Sequence, residues 1–136
     1  MKIVLEDRPK LVALGLGYYQ FVEGDYFEPA AIGVTKDSVV IYSDYEPDEI
    51  QNDAFAFSVK KTIRLGDVKS VIVEKIVRHA ELKRFMRLNI IMKDVELSTF
   101  FYFDKVDKKY MNKVIRELKY ADIRVVKRTV DLRPIA

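Results

Sequence analysis

Alternating apolar and polar positions predict β-strands through the middle of the chain. In residues 55–65, 86–92 and 95–103, apolar side chains occupy nearly every second position, the period of a strand with one buried face. Residues 93–94 lie between the last two strands and read as a two-residue turn. The pattern therefore predicts a hairpin over residues 85–103, in which Arg87 and Asn89 point away from the apolar face.

Shorter apolar runs predict more strands on either side of this hairpin. They are bounded by turn-forming or charged residues and cover residues 2–5, 31–34, 39–43, 71–77 and 122–126. Residues 11–22 are almost continuously apolar, and Gly15 and Gly17 weaken a helix there while the tyrosines favour a sheet. A strand is the favoured interpretation for 11–22, with a helix as the open alternative.

At Asp104 the apolar period changes from two residues to 3.6. The pattern predicts a helix over residues 104–120, because Asp104 is a good N-cap residue and Asp107 suits the first turn. One side of this helix is apolar and should cover the open end of the sheet core. That side carries Val106, Tyr110, Met111, Val114, Leu118 and Ala121, with Ile115 beside them.

The composition is that of a globular protein. The 136 residues, of which 49% are hydrophobic and 33% charged, fit a single domain over residues 1–136. The absence of cysteine excludes disulfides and thiolate metal sites. No run approaches the roughly 20 apolar residues of a membrane span. We expect a cytoplasmic protein.

The charges are unevenly distributed along the chain. Residues 1–56 contain four basic and eleven acidic residues, a net −7, whereas residues 57–136 carry +10. This asymmetry could steer an anionic partner or pair two copies head to tail. The alternative is that the charges serve only to keep the protein soluble.

Catalytic and metal-binding chemistry find no support in the residues. His79 is the only histidine, and five scattered glycines form no phosphate-binding loop,. Asp44, Glu46 and Asp48 alternate as in a calcium loop, but Glu49 stands where an EF-hand needs glycine,. We predict no catalytic residue, no cofactor-binding residue and no metal site, and read the acidic segment 44–53 as a solvated loop.

Three segments resemble the bacterial pleckstrin-homology-like (PH-like) domains, which are related in shape to GRAM domains. Residues 33–42 are similar to that family's first hairpin, residues 61–71 to its strand–turn–strand, and residues 88–118 to its last hairpin and closing helix. Together these segments span most of residues 31–120. The resemblance implies a mainly β fold of about seven antiparallel strands, a sandwich or partly open barrel capped by helix 104–120.

The resemblance leaves both chain ends outside the family-like core. Residues 1–22 and the tail 122–136 are therefore expected as additions. We expect the tail to pair with the strand at residues 2–5 or with a second copy of the chain.

The functional prediction is a non-catalytic binding or scaffold module without a cofactor. Its partner would be another protein, reached by strand addition or through an amphipathic groove, or a second copy of itself. Some domains of this shape bind phosphoinositides through several basic residues near the first turn. Here that turn offers Lys36 alone, next to Asp37, so phosphoinositide binding is not supported.

The alternative is nucleic-acid or anionic-surface binding by the basic half of the chain. Phe100 and Tyr102 could stack on bases, or they could pack beneath neighbouring residues. The candidate cations are Lys60, Lys61, Arg64, Lys83, Arg84, Arg87, Lys105, Lys108, Lys109, Arg116, Arg124, Lys127 and Arg128. The possible anion-binding residues selected from them are Lys60, Lys61, Arg64, Lys83, Arg84 and Arg87.

Overall fold

The computed structural model describes residues 2–5, 10–20, 27–44, 54–94 and 98–132. Within them the chain is mainly β, with a single α-helix close to the carboxyl end. The elements in chain order are β1 (Lys2–Leu5), β2 (Ala13–Gln20), β3 (Phe27–Val34), β4 (Ser38–Asp44), β5 (Ala54–Arg64), β6 (Val68–Val77), β7 (Phe85–Met92), β8 (Ser98–Asp104), α1 (Lys108–Tyr120) and β9 (Val125–Asp131). The described residues thus form nine strands, where about seven were expected.

Seven of the strands form two antiparallel meanders joined into one sheet. β2, β3, β4 and β5 are consecutive neighbours in the first meander, and β6, β7 and β8 in the second. The two meanders join where β2 pairs with β8, at Tyr18 with Tyr102 and at Tyr19 with Phe101. β2 therefore lies at the centre of the sheet, although the sequence placed it outside the core. The favoured strand interpretation of residues 11–22 is confirmed over Ala13–Gln20.

The two remaining strands are added at the ends of the sheet in parallel orientation. β1 pairs with β5, and β9 pairs with β6 in the register Val71 to Val125 through Val77 to Asp131. The tail therefore does not pair with Lys2–Leu5, which lies at the opposite end of the strand order. Since β1 and β9 do not pair with each other, the sheet stays open. The predicted PH-like architecture is confirmed, and these two parallel pairs depart from its antiparallel pattern.

The two meanders share one hydrophobic core. Ile32 and Ile41 from the first, Leu88 and Phe101 from the second, and Leu118 from α1 all belong to it and are each 0% exposed. Alternation within each strand explains this, because every second side chain points inward. The helix contributes a third wall, as the apolar stripe predicted.

Two glycines in β2 allow this close packing. A Cβ atom on Gly15 would lie 2.6 Å from the Phe103 ring, and one on Gly17 would lie 2.7 Å from the Phe101 ring and closer still to the Tyr102 carbonyl oxygen. A larger residue at position 17 would push β8 away from β2, because the nearest atom there is backbone, and one at position 15 would displace the Phe103 ring. The glycines that argued against a helix therefore serve the junction of the two meanders.

The closing helix begins later than the sequence predicted. Residues Lys105–Asp107 form a 3-10 turn, and the Asp104 carboxylate accepts a 3.1 Å hydrogen bond from the Val106 N–H. Met111, Val114, Ile115 and Leu118 are buried, as predicted. Val106 is 85% exposed and Tyr110 42%, so their predicted burial is wrong. The physical reason is the 3-10 turn, whose tighter winding moves Val106 off the stripe.

The β7–β8 hairpin has a longer connection than predicted. Ile91 pairs with Ser98, which leaves six residues between them, whereas a turn over residues 93–94 would pair Ile91 with position 96. The shift is two residues, so every side chain keeps its face. The predicted strand positions 95–97, the acidic segment from residue 45 to 53 and the tail end at 133–136 lie outside the described residues.

None of the described helices is long and apolar enough to cross a membrane.

Candidate binding groove

The six predicted anion-binding residues occupy two separate parts of the sheet. Lys60, Lys61 and Arg64 lie on β5, whereas Lys83 and Arg84 lie in the 3-10 turn Leu82–Arg84 and Arg87 on β7. β5 and β7 are five places apart in the strand order. Anion binding by these residues stays a prediction, and the contacts of Lys61, Arg84 and Arg87 show what they do within the fold.

Lys61 is exposed, but its side chain also contacts the second meander. Its Nζ donates a 2.8 Å hydrogen bond to Oγ1 of Thr99 on β8, and Thr99 is 3% exposed. β4, β3 and β2 separate β5 from β8 in the sheet, so this bond must cross between the meanders. Lys61 therefore helps to hold the two walls of the core together.

Arg84 is engaged by the residue that caps the closing helix. Its Nε and Nη2 lie 3.2 and 2.7 Å from Oδ2 of Asp104, and its guanidinium lies 4.8 Å from the Phe85 ring centroid. The Val106 N–H and the Arg84 guanidinium together lower the pKa of Asp104. The positive charge of Arg84 is thus largely matched by a neighbouring carboxylate.

Arg87 belongs to a buried ionic network and is not a surface residue. It is 9% exposed, its Nε donates a 2.7 Å hydrogen bond to Glu74 Oε1, and its Nη1 lies 3.2 Å from the Tyr102 hydroxyl. Burial alone lowers the pKa of Arg87, but the hydrogen bonds to Glu74 and Tyr102 outweigh it and raise the pKa overall. Arg87 points away from the apolar face of β7, as predicted, but it is buried there because β6 supplies the ionic partner Glu74 directly opposite.

The other oxygen of Glu74 holds the last strand. Arg128 of β9 donates from Nε over 3.1 Å and from Nη2 to Oε2 of Glu74, which is itself 0% exposed. The strand register places Arg128, Glu74, Arg87 and Tyr102 side by side across β9, β6, β7 and β8. We call these four residues the buried row after its three buried members, since the outer one, Arg128, is about half exposed. It satisfies one buried carboxylate with two guanidinium groups and ties β9 to the sheet.

Aromatic rings surround the buried row and already have partners. Phe85 packs edge-on against Tyr18 and Tyr102, with ring centroids 5.5 and 6.0 Å apart. The Arg87 guanidinium lies 4.4 Å from the Phe100 centroid, and Tyr102 is 1% exposed. Of the two alternatives for Phe100 and Tyr102, the structure supports packing beneath neighbours.

A groove of about 320 Å³ lies on the opposite face of the same strands, beneath α1. Its apolar walls come from Val73, Met86, Met111 and Ile115, and its polar lining from Lys75, Lys108, Asn112, Lys127 and Thr129. Arg128 also borders it, although its guanidinium bonds Glu74. We call this the basic groove.

The strand register and the helix period bring these residues together. Val73 lies opposite Lys127, and Lys75 lies opposite Thr129, so all four point to one face. On α1, Lys108, Asn112 and Ile115 are spaced for one side of a helix. Lys108 and Lys127 were among the thirteen sequence candidates, but Lys75 was not. No sequence signal placed β9 beside β6, since that pairing joins residues more than fifty positions apart.

The basic groove carries one sign of charge. Lys75, Lys108 and Lys127 are exposed, and no carboxylate is among the described residues that line the groove. Three ammonium groups at the mouth of an apolar pocket favour a ligand with both acidic and apolar groups. This arrangement distinguishes the groove from the neighbouring buried row, where the charges are matched.

His79 has a structural part in the connection between β6 and β7. Its Nδ1 accepts hydrogen bonds from the backbone N–H groups of Glu81 and Leu82, at 3.3 and 3.0 Å. The imidazole therefore organises the turn that leads into β7. Among the described residues, no three potential ligands gather into a metal-binding group.

The comparisons with known proteins show the fold. No protein-family model matches this chain, and no curated protein is similar to it in sequence. Its structure is similar to that of the Vav1 exchange factor with its PH and C1 domains, with a TM-score of 0.57 and 12% identity over 88% of this chain and 29% of the other. It is also similar to the hSac2 domain of the human phosphoinositide phosphatase Sac2, with a TM-score of 0.53 and 10% identity over 96% and 82% of the two chains.

These likenesses confirm a PH-like fold. A third similar structure is the DH/PH domain of human ARHGEF11 in its complex with RhoA and an inhibitor, at a TM-score of 0.50 and 13% identity over 82% of this chain. This chain spans only 20–29% of the Vav1 structures and 28% of the ARHGEF11 structure. The bacterial family named from the sequence stays a prediction.

Proposed function

We propose that this chain is a non-catalytic binding module that recognises a protein partner through the basic groove. The observation that carries the proposal is the groove itself, with an apolar floor, three exposed lysines at its mouth and no acidic residue among the described residues that line it. Pockets that combine apolar walls with a few placed polar groups are the usual form of binding sites. A cysteine-free sequence also fits the reducing cytoplasm that we propose as its location.

The residues best suited to acid–base chemistry support the non-catalytic part of this proposal. Glu74 is held by two guanidinium groups and is 0% exposed, and His79 uses its ring nitrogen to cap a turn. A general acid or base must reach a substrate proton, and the Glu74 carboxylate, which is fully buried, has no such access. RhoA, which is bound to the DH/PH domain in the ARHGEF11 structure, is a protein, and this agrees with protein recognition.

A peptide-display selection tests this proposal. A library of random peptides of about 12 residues is selected on the immobilised wild-type chain. Each enriched peptide is then measured on Lys75→Glu/Lys127→Glu and on the control Lys36→Glu, whose lysine lies in the β3–β4 turn. We expect enriched peptides to bind wild type and the control but not Lys75→Glu/Lys127→Glu, which we call the groove variant. A selection without enrichment, or with peptides indifferent to the groove charges, contradicts the proposal.

Self-association is the second form that a protein partner could take. The charges of the two chain halves, −7 and +10, favour head-to-tail pairing at low salt. Light scattering at low and high salt measures it. A mass that rises with concentration at low salt and falls with added salt supports a homo-oligomer, whereas a constant monomer mass contradicts one.

Nucleic-acid or anionic-surface binding is the alternative that the same lysines favour. Phosphates could contact Lys75, Lys108 and Lys127, and the six cations selected from the sequence could add to them. A titration of single-stranded DNA at two salt concentrations tests it, because binding through phosphates weakens steeply as salt rises. Binding that does not change with salt, or that survives Lys75→Glu/Lys127→Glu, contradicts this alternative for the groove.

A further inference from the structure

At the outer edge of β9, the backbone groups have no neighbour among the strands that the structure describes. Among the described strands, β9 pairs with β6 alone and ends the strand order. The Arg124 carbonyl accepts from the Val71 N–H over 2.8 Å, and the Leu132 N–H donates to the Val77 carbonyl over 3.3 Å. Even-numbered residues of this segment thus turn their backbone groups towards β6. Because the direction of the backbone N–H and C=O groups alternates along a strand, the odd-numbered residues of β9 turn theirs towards the outer edge.

Two of these odd-numbered residues also supply side chains to the basic groove. Lys127 and Thr129 offer their backbone groups at the edge of β9 while their side chains line the groove. A chain that pairs with this edge would place every second side chain on the groove side of the sheet. The edge and the groove can therefore act on one extended ligand.

The charges at this edge select among extended chains. Lys127 lies on the edge strand itself, where a lysine disfavours pairing with a basic strand. Lys75 on β6 and Lys108 on α1 place two more cations around the same space. An acidic side chain next to Lys127 gains a favourable cross-strand pair. An aliphatic side chain beside it finds Met111 and Ile115 on the groove wall. The favoured ligand alternates acidic and aliphatic residues on one face.

An extended peptide uses all of these features, and other anionic ligands use fewer. A fatty acid or lipid headgroup could contact the lysines and the apolar floor but would leave the backbone groups of β9 unpaired. A nucleic acid could contact the lysines, but its phosphates have no match for the apolar floor. Strand addition is a known way of binding peptides to an open sheet edge.

We propose that the chain binds an acidic, extended peptide segment of another protein by strand addition to β9, with alternate side chains in the basic groove. This inference rests on the proposed function and names the chemistry of its partner. Recognition requires both the outward backbone groups of Lys127 and Thr129 and the three groove lysines.

Synthetic peptides test the proposal directly. The probe has nine residues, with glutamate, leucine and glutamate at alternate central positions and threonine or serine elsewhere. One control replaces both glutamates by lysine, and a second carries N-methyl groups on alternate backbone nitrogens, which removes donors needed for strand pairing. Fluorescence anisotropy measures binding to wild type, to Lys75→Glu/Lys127→Glu and to Lys36→Glu. Circular dichroism checks that each variant is folded.

We expect the acidic probe to bind wild type and Lys36→Glu equally, and to bind the groove variant about tenfold more weakly or worse. The lysine peptide and the N-methylated peptide should also bind wild type about tenfold more weakly than the acidic probe, or worse. In amide NMR spectra, the probe should shift the Lys127 and Thr129 signals. These results together support strand addition of an acidic peptide.

Four results would overturn the inference. Equal binding of the N-methylated probe shows that strand pairing is not used. Phosphatidylserine vesicles or a single-stranded oligonucleotide that bind more tightly and displace the probe show that the groove serves a different ligand. If display selection yields groove-dependent peptides without acidic residues, the proposed function stands and this inference fails; if neither selection nor probe binds, both fail.

Discussion

The two faces of the sheet around β6 and β9 use charge in opposite ways. On one face Glu74 is completely buried and bonded to Arg87 and Arg128. On the other face the adjacent residue, Lys75, is exposed beside Lys127 and Lys108 in the basic groove. Glu74 and Lys75 are consecutive in β6, so their side chains point to opposite faces of the sheet. The paired charges on the Glu74 face hold the strands together, and the unpaired charges on the Lys75 face are suited to binding a ligand.

This difference predicts that mutations on the two faces separate stability from binding. A buried charge that loses its partner is costly, because neither water nor another group replaces the lost interaction. An exposed lysine can be replaced with little effect on folding, since water solvates it in both states. This distinction is wrong if mutations on both faces reduce the free energy of unfolding equally, or if mutations on neither face change ligand binding.

The largest expected effect is on the buried face, from Glu74→Gln. The neutral amide leaves Arg87 and Arg128 without a counter-charge, so the free energy of unfolding should fall by about 3–5 kcal/mol. Urea denaturation measures it, with Glu81→Gln as the control at an exposed position of the β6–β7 connection. A loss no greater than that of the control would show that the buried row does not hold the sheet.

Removal of the outer arginine should cost less than removal of the shared carboxylate. Arg128→Ala leaves the Arg87–Glu74 pair intact, and the Arg128 side chain is 52% exposed, so we expect a loss of about 1.5 kcal/mol. Lys127→Ala is a matched control one position away, expected to lie within about 0.5 kcal/mol of wild type. Equal losses for these neighbours would contradict the distinction between the two faces.

Asp104 lies apart from both faces, and its mutation measures the stability contributed by an exposed capping carboxylate. Asp104→Ala removes the cap of the turn Lys105–Asp107 and the partner of Arg84, and should cost about 1 kcal/mol near neutral pH. The pKa of Asp104 is lowered in the folded protein, so its contribution is present above the unfolded pKa and is lost as pH falls through the folded pKa. The stability difference between wild type and variant should therefore shrink below about pH 4. If the difference in unfolding free energy between wild type and Asp104→Ala does not depend on pH, the negative charge of Asp104 does not contribute to stability.

The smallest stability effect is expected for the groove pair. Lys75→Glu/Lys127→Glu should unfold within about 0.5 kcal/mol of wild type, while its ligand binding changes strongly. Thermal melting measures the first property, and the display-selected peptides measure the second. A large loss of stability would show that the groove lysines support the fold.

Local patterns predicted most of the strands and much of the helix. Period-two alternation found β7 and β8, and the helical stripe found the buried residues Met111, Val114 and Leu118. It failed at Val106, where a 3-10 turn replaces the first helical turn. It also failed in the β7–β8 connection, where the register is shifted by two residues. These two errors concern the junctions between elements, where backbone geometry changes within a few residues, whereas the wrongly predicted burial of Tyr110 lies within α1.

The candidate site was less accessible to sequence reasoning. A search for cations selected Arg84 and Arg87, which the fold engages with Asp104 and Glu74. It could not select Lys75, which lies in an ordinary alternating strand and gains its setting from β9 and α1. A lysine has the same local signature whether it faces a carboxylate, solvent or a groove.

The sequence by itself determined most element types and the late helix, because the spacing of apolar residues reflects which faces are buried, and its resemblance to PH-like domains implied the broad architecture. Only the tertiary structure decided that β9 runs parallel to β6, that Glu74 has two arginine partners and that three lysines share a groove. The physical reason is that these arrangements depend on contacts between residues far apart in the chain, whose charges acquire their roles only when the strands align.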